Sequence, residues 1–169
     1  MNKLTHENVV RFLAYSVKPS AIVFELCEVK ASDDTLVHNV AELIDLFNEN
    51  EYFNLKERLD IVLQSAKGLS YLHNNSIIHK DFKPNNCLVT GDLDNIKVKV
   101  ADFDDIFDIK NTVTSTLTSN CNQKKQGITL AYSAPDLLLE NKTPSVESDV
   151  YSFAISTYAI LGNVDGMPW

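Results

Sequence analysis

The sequence predicts an α+β fold, and three observations carry that expectation. Short β-rich runs flank a turn near the N-terminus, and a second pair flanks "TGDLDN" in mid-chain. Most of the remaining chain spaces its apolar residues as helices do. In order, "VVRFLAYSV" (Val9 to Val17) and "AIVFEL" (Ala21 to Leu26), joined by Lys-Pro-Ser, read as a hairpin. "EVKASDD" (Glu28 to Asp34) reads as a polar connector. A helix is expected from Val37 to Asn48, where Val37, Val40, Ala41, Ile44 and Phe47 keep a helical rhythm. The next helix opens on Asn54 and Glu57, a variant of the capping box. Leu55, Leu59, Val62, Ala66 and Leu69 line one stripe of it, and it should stop near His73, at the Asn74-Asn75 pair. "CLV" and "IKVKV" (Ile96 to Val100) are strands, and the strict alternation of the second buries one face. Asn111 to Lys125, rich in Thr, Ser and Asn, reads as an exposed, mobile loop. "APDLLLE" is a short helix. "ESDVYSFAISTYAILG" is a long one, expected to bury Val150, Phe153, Ala154, Tyr158 and Leu161 and to stop at Gly162.

Bulk properties exclude several classes of function. The 169 residues suffice for one domain, and an apolar share of 44% with 22% charged residues is that of a globular protein. A net charge of −8 argues against nucleic acid and anionic membrane as partners. There is no apolar run near 18 residues and no signal-peptide core, so no membrane segment is expected. Cys27, Cys87 and Cys121 form no CxxC pair, which leaves a zinc site or disulfide framework unsupported and favours a reducing, cytoplasmic setting. Cys27 and Cys87 read as small buried hydrophobes.

Three polar clusters carry the chemistry: His79-Lys80-Asp81-Phe82-Lys83-Pro84-Asn85-Asn86, then Ala101-Asp102-Phe103-Asp104, then Ala134-Pro135-Asp136. Phosphoryl transfer needs a carboxylate to orient a hydroxyl and take its proton, and a cation beside the moving phosphoryl group. It also needs an amide oxygen and a second carboxylate to hold Mg²⁺ against nucleotide phosphates. Asp81, Lys83, Asn86 and Asp102 are the right types, and a hairpin between Asn86 and Asp102 would fold them back towards one another.

These clusters resemble the protein kinase family. "HKDFKPNN" is similar to the catalytic loop H-R-D-L-K-P-x-N, "DFD" to D-F-G and "APD" to A-P-E. "HENVV" (His6 to Val10) resembles the approach to the fourth small-lobe strand, and "FELC" (Phe24 to Cys27) the gatekeeper and hinge. "SDVYSFA" (Ser148 to Ala154) resembles the start of the central large-lobe helix, with Asp149 at its anchoring position, and "GNVDGMPW" the segment after it. The resemblance runs from residue 6 to residue 169. It implies a protein-kinase-like fold, with an incomplete small lobe of two strands and hinge (residues 1–27) and a mostly helical large lobe (28–169). It implies Asp81 as catalytic base, Lys83 as phosphate contact, and Asn86 and Asp102 as Mg²⁺ ligands. Main-chain groups of Glu25 and Cys27 would meet the adenine of ATP, with Leu88 beneath it. His79 would be structural, and so would Asp149, for which a place at a helix N-terminus is reason enough. Lys83 and Thr129 resemble the serine/threonine branch, and "GLSYLHNNSIIHKD" the tyrosine-kinase-like group.

The sequence also departs from the family. None of its five glycines (Gly68, Gly91, Gly127, Gly162, Gly166) builds G-x-G-x-x-G, and neither V-A-I-K nor the last large-lobe helices are present. The expectation is a partial domain of marginal stability that is inactive by itself. Asp104 stands for the Gly of D-F-G, Lys80 for the Arg that grips a phosphorylated loop, and Asp136 for the Glu of A-P-E. The functional expectation is a serine/threonine kinase using ATP and Mg²⁺ on a protein substrate, with a regulatory protein partner. The alternative is a pseudokinase or scaffold lobe that works by protein–protein binding. A small-molecule phosphotransferase is disfavoured by Lys83-Pro84, A-P-D and Asp149.

Overall fold

The computed structural model describes residues 4–31, 34–49, 54–102, 107–108, 130–139 and 142–162. Its strands and helices are, in order, β1 (Phe12–Val17), β2 (Ser20–Phe24), β3 (Val29–Lys30), β4 (Leu36–Val37), α1 (Val40–Glu49) and α2 (Leu55–Asn74). There follow β5 (Ile77–Ile78), β6 (Cys87–Asp92), β7 (Asn95–Val100), β8 (Phe107–Asp108), α3 (Pro135–Leu139) and α4 (Val146–Leu161). The strands pair two by two, all antiparallel: β1 with β2, β3 with β4, β5 with β8, β6 with β7. The chain divides into two compact units, Met1–Gly68 with Pro84–Ala101, and Leu69–Lys83 with Asp102–Trp169.

In the first unit, β6 and β7 pair from Cys87↔Val100 to Asp92↔Asn95. Alternation sends Cys87, Val89, Ile96, Val98 and Val100 inward, as "IKVKV" foretold. α1 and β3 pack on β6, supplying the buried Val40, Leu43 and Val29. The supposed connector after Glu28 is thus partly structural: Val29 is fully buried and pairs with Val37. That strand pair also sets where α1 begins, three residues later than the apolar rhythm suggests. Asn39 then caps α1, its Oδ1 accepting the Glu42 N–H at 3.0 Å, while Glu42 Oε2 accepts the His38 N–H at 2.7 Å. The Asn54–Glu57 box forms as expected, Glu57 Oε2 accepting the Asn54 N–H at 2.6 Å and Asn54 Oδ1 the Lys56 N–H at 2.8 Å. The β1–β2 hairpin also forms, with almost every side chain exposed.

The buried face of α2 differs from the expected stripe. Leu55 and Leu59 are exposed and Val62 and Ala66 half-buried, whereas Arg58, Ile61, Gln64, Ser65 and Gly68 face inward with Leu69, the stripe residue that is buried. The cause is a polar network. Gln64 Oε1 accepts the Val98 N–H at 2.9 Å, and its Nε2 donates to Ile96 O at 3.0 Å and Asp60 Oδ2 at 2.7 Å. Asn8 Nδ2 joins it, donating to Val98 O at 2.9 Å and Gln64 Oε1 at 3.3 Å. A buried amide with these bonds outweighs the transfer of one leucine, because leaving the strand's polar groups unpaired would cost more.

In the second unit, α4 opens on a capping box: Ser145 Oγ accepts the Ser148 N–H at 3.3 Å, and Ser148 Oγ accepts the Ser145 N–H at 3.0 Å. Gly162 ends it, its N–H donating to Tyr158 O at 2.8 Å. Here too the buried face is not the apolar one. Ser148, Asp149, Ser152, Ser156 and Ile160 are buried, while Val150, Ala154 and Tyr158 are exposed. Ser152 and Ser156 donate their hydroxyls to carbonyls one turn back, at 3.0 and 2.8 Å, so their burial leaves no donor unpaired. Phe82 is buried between His79 and Phe153, with ring centroids 5.6 and 5.8 Å away.

Candidate functional site

The first unit holds the residues assigned to adenine, Glu25, Cys27 and Leu88, together with Asn86. Glu25 follows β2 directly, and its backbone N–H donates to Arg11 O at 3.0 Å. Its carboxylate accepts the Arg11 N–H at 2.8 Å and meets Lys99 Nζ at 2.9 Å. Cys27 is buried, its Sγ 3.8 Å from Glu25 O. Burial, aided by the Glu25 charge and opposed by Lys99, pushes the Cys27 thiol up. Burial pushes Cys87 up to about 12, with a weaker opposing contribution from the Ser65 hydroxyl. Both cysteines are therefore inert thiols rather than nucleophiles. Leu88 is half-buried on β6, directly opposite Lys99 on β7. Asn86 ends a 3-10 turn, Pro84–Asn86, and its carbonyl accepts the Ala101 N–H at 2.8 Å.

Burial raises the Glu25 carboxyl, but the Lys99 ammonium and the Arg11 N–H outweigh it and hold the group below its ordinary 4.5. A depressed folded-state value means that the unfolded chain binds the proton more readily. The stabilisation is therefore complete above pH 4.5 and fades as the pH falls through the folded-state value. Melting temperatures of wild type and Glu25→Gln, compared across an acid titration, should differ by a constant amount above pH 4.5 and converge below it.

The second unit holds the residues assigned to the reaction. Asp81 and Lys83 come together, Nζ to Oδ2 at 2.5 Å, both largely shielded from solvent. Their loop is fixed by Asp149, which is 1% exposed. Its Oδ2 accepts the His79 N–H at 2.8 Å and its Oδ1 the Lys80 N–H at 2.9 Å. His73 Nε2 lies 2.8 Å from the same Oδ2. Lys80 sits at φ 72°, a left-handed conformation unfavourable for a residue with a Cβ, and the Asp149 bond holds it there. Asp149 thus does more than meet a helix dipole. His79 is buried, as a structural histidine should be. Asp102 is exposed, with φ 68°. Asp136 meets Lys142 at 3.9 Å, both well exposed. Phe103, Asp104, Thr129, Cys121, the segment 111–125 and the segment after Gly162 lie outside the described residues.

Reading the sequence missed two partners. His73 looked like the end of a helix, and Lys99 like part of a solvated strand face, whereas it is largely shielded and paired with Glu25. His73 sits in the last turn of α2 with no local partner to announce it.

Comparison with known proteins identifies the family. A family model described as protein tyrosine and serine/threonine kinase matches residues 1–167. The chain is 34% identical, over 96% of its length, to the human receptor-interacting serine/threonine-protein kinase 1, of which the match covers 24%. It is 30% identical to a serine/threonine/tyrosine-protein kinase of Arabidopsis thaliana, over 92% of the chain and 35% of that protein. It is also 30% identical to a Raf homolog serine/threonine-protein kinase of Caenorhabditis elegans, over 96% of the chain and 19% of that protein. The chain thus spans between about a fifth and a third of the relatives it matches. No helix among the described residues is long and apolar enough to cross a membrane. With its Asp81–Lys83 pair in a loop hung from a buried helix carboxylate, and a family match over nearly its whole length, the chain belongs to the protein tyrosine and serine/threonine kinases.

Proposed function

We propose that these residues are the hinge and most of the large lobe of a kinase that transfers the ATP γ-phosphate to Ser or Thr hydroxyls of a protein substrate. Residues 1–27 would be the small-lobe part and hinge, and 28–169 the large lobe. The observation that carries the reading is the short Asp81–Lys83 contact, in a loop whose backbone two Asp149 bonds define. Asp81 would orient the hydroxyl and take its proton, and Lys83 would neutralise charge on the phosphoryl group.

Asn86 and Asp102 would hold Mg²⁺. One amide oxygen and one carboxylate suit an ion that keeps waters and takes its other ligands from phosphates. The metal would supply charge neutralisation to those phosphates. Main-chain groups of Glu25 and Cys27, with Leu88, would bind adenine. Three widely spaced cysteines, two of them buried thiols, fit a cytoplasmic setting.

The 169 residues contain no G-x-G-x-x-G, so the phosphate contacts of such a loop do not come from them. By itself the chain is therefore expected to bind Mg·ATP weakly and to transfer no measurable phosphate. Titration with a fluorescent ATP analogue should show Mg²⁺-dependent binding that Asp102→Asn removes and Asp81→Asn leaves in place. Transfer to a protein substrate that disappears with Asp81→Asn would confirm the catalytic base and refute the inactivity. Absence of nucleotide binding would favour the second reading, a scaffold lobe that acts by protein–protein contact. The Asp104 substitution in D-F-D is the observation that supports that alternative.

A further inference from the structure

Lys99 stands apart from the groups assigned so far. It sits on β7 with its side chain 15% exposed, and its Nζ meets Glu25 Oε1 at 2.9 Å and Glu7 O at 3.1 Å. The same Glu25 oxygen accepts the Arg11 N–H at 2.8 Å. One cation thereby ties together the chain before β1, the residue after β2 and the C-terminal end of β7. Residues directly opposite in an antiparallel pair project from the same face, so Lys99 and Leu88 share a face of the β6–β7 hairpin. Lys99 therefore links β7, the strand paired with the one that carries Leu88, to Glu25, two residues before Cys27.

We propose that Lys99 is a positioning residue for adenine nucleotide: through the Glu25 carboxylate it sets the main chain of residues 25–27 against Leu88. The inference rests on the nucleotide reading of Glu25, Cys27 and Leu88. The chemistry favours a charge clamp. The β1–β2 hairpin is exposed on nearly every side chain, so burial does little to locate its end. Among the described residues, the Glu25 carboxylate is held by the Arg11 N–H and by Lys99. Arg11 belongs to the approach to the same hairpin, which the Val10 N–H ties to Val100 O on β7 at 2.9 Å, and Lys99 adds a second tie at the residue after β2. Lys99 belongs to a strand whose neighbours Val98 and Val100 are fully buried. A largely shielded, charge-assisted bond to that strand fixes what the apolar contacts do not.

The test compares Lys99→Met and Lys99→Arg with wild type by residue-resolved amide hydrogen exchange and by titration with a fluorescent ATP analogue. In Lys99→Met the Arg11 and Glu25 amides should exchange about tenfold faster, while Val89 and Val98 keep their protection, and affinity should fall about tenfold. Lys99→Arg keeps the charge and should restore both. Unchanged exchange at Arg11 and Glu25 in Lys99→Met overturns the clamp. Faster exchange with undiminished affinity overturns its role towards nucleotide. Wild type that binds no adenine nucleotide sinks the nucleotide reading and the positioning role with it, while exchange still decides the clamp.

Discussion

Gly68→Ala should lower the stability of the chain by about 3 kcal/mol, against a helix-propensity gain of about 1 kcal/mol. Gly68 is where α2 crosses the paired segments Asn8–Val10 and β7. Val9 bridges Val100 in parallel, with Val100 N–H donating to Asn8 O at 2.9 Å and Val10 N–H to Val100 O at 2.9 Å. A Cβ at residue 68 would lie 2.2 Å from Asn8 O and 2.6 Å from Val100 Cγ2. The first of these is backbone already committed to a hydrogen bond, so it cannot retreat without breaking that bond. In a chain of this size the loss corresponds to a fall of about 10 °C in melting temperature. Lys67→Ala, one residue away and exposed, should stay within about 0.5 kcal/mol of wild type in the same denaturation experiment. Equal effects of the two substitutions would rule out the close approach as the cause.

Asp149→Ala should cost about 3–5 kcal/mol, because it leaves the His79 and Lys80 N–H groups and His73 without their common acceptor. The damage should concentrate in the loop. Amide exchange at His79 and Lys80 should accelerate well beyond the global change, since Lys80 at φ 72° loses the bond that holds it there. Asp149→Asn keeps one carbonyl oxygen and should lose less. If Asp149→Ala unfolds the chain outright, Asp149→Asn still reports, through which of the two amides retains protection. Stability near wild type with unaltered exchange at Lys80 would show that the carboxylate is incidental to the loop.

The two predictions sit at different distances from the sequence. The role of Asp149 was half legible: its place at the start of a long helix marked it as structural, but dipole complementarity was reason enough. Its bonds to His79 and Lys80 cross about 70 positions of chain, and the His73 contact crosses 76. No local pattern encodes such partners. Gly68 gave no signal at all, because a mid-helix glycine is explained only by what presses against it. The candidate residues were legible as candidates, because the loop from His79 to Asn86 compresses chemistry into adjacent positions. The structure joined Asp81 to Lys83 as that compression suggests.

What the sequence by itself determined is what neighbouring residues decide among themselves. The Asn54–Glu57 and Ser145–Ser148 ends of α2 and α4 are local exchanges of hydrogen bonds between groups three residues apart. The β6–β7 alternation follows from the two-residue period of a strand, and the family from the order of its motifs. Tertiary structure alone decided which face each helix buries. Apolar count favoured Leu55, Leu59, Val62, Ala66 and Leu69 on α2, of which Leu69 alone is buried, and Val150, Phe153, Ala154, Tyr158 and Leu161 on α4, none of which is. The buried faces instead follow Gln64 and Gly68 in one and Ser148, Ser152 and Ser156 in the other. The reason is physical: burial rewards apolar area in proportion, but an unsatisfied amide or a backbone clash penalises steeply. Where a distant strand demands hydrogen bonds, or a neighbouring backbone lies within 3 Å of where a Cβ would sit, the helix turns to meet that demand and leaves Leu55 and Leu59 exposed.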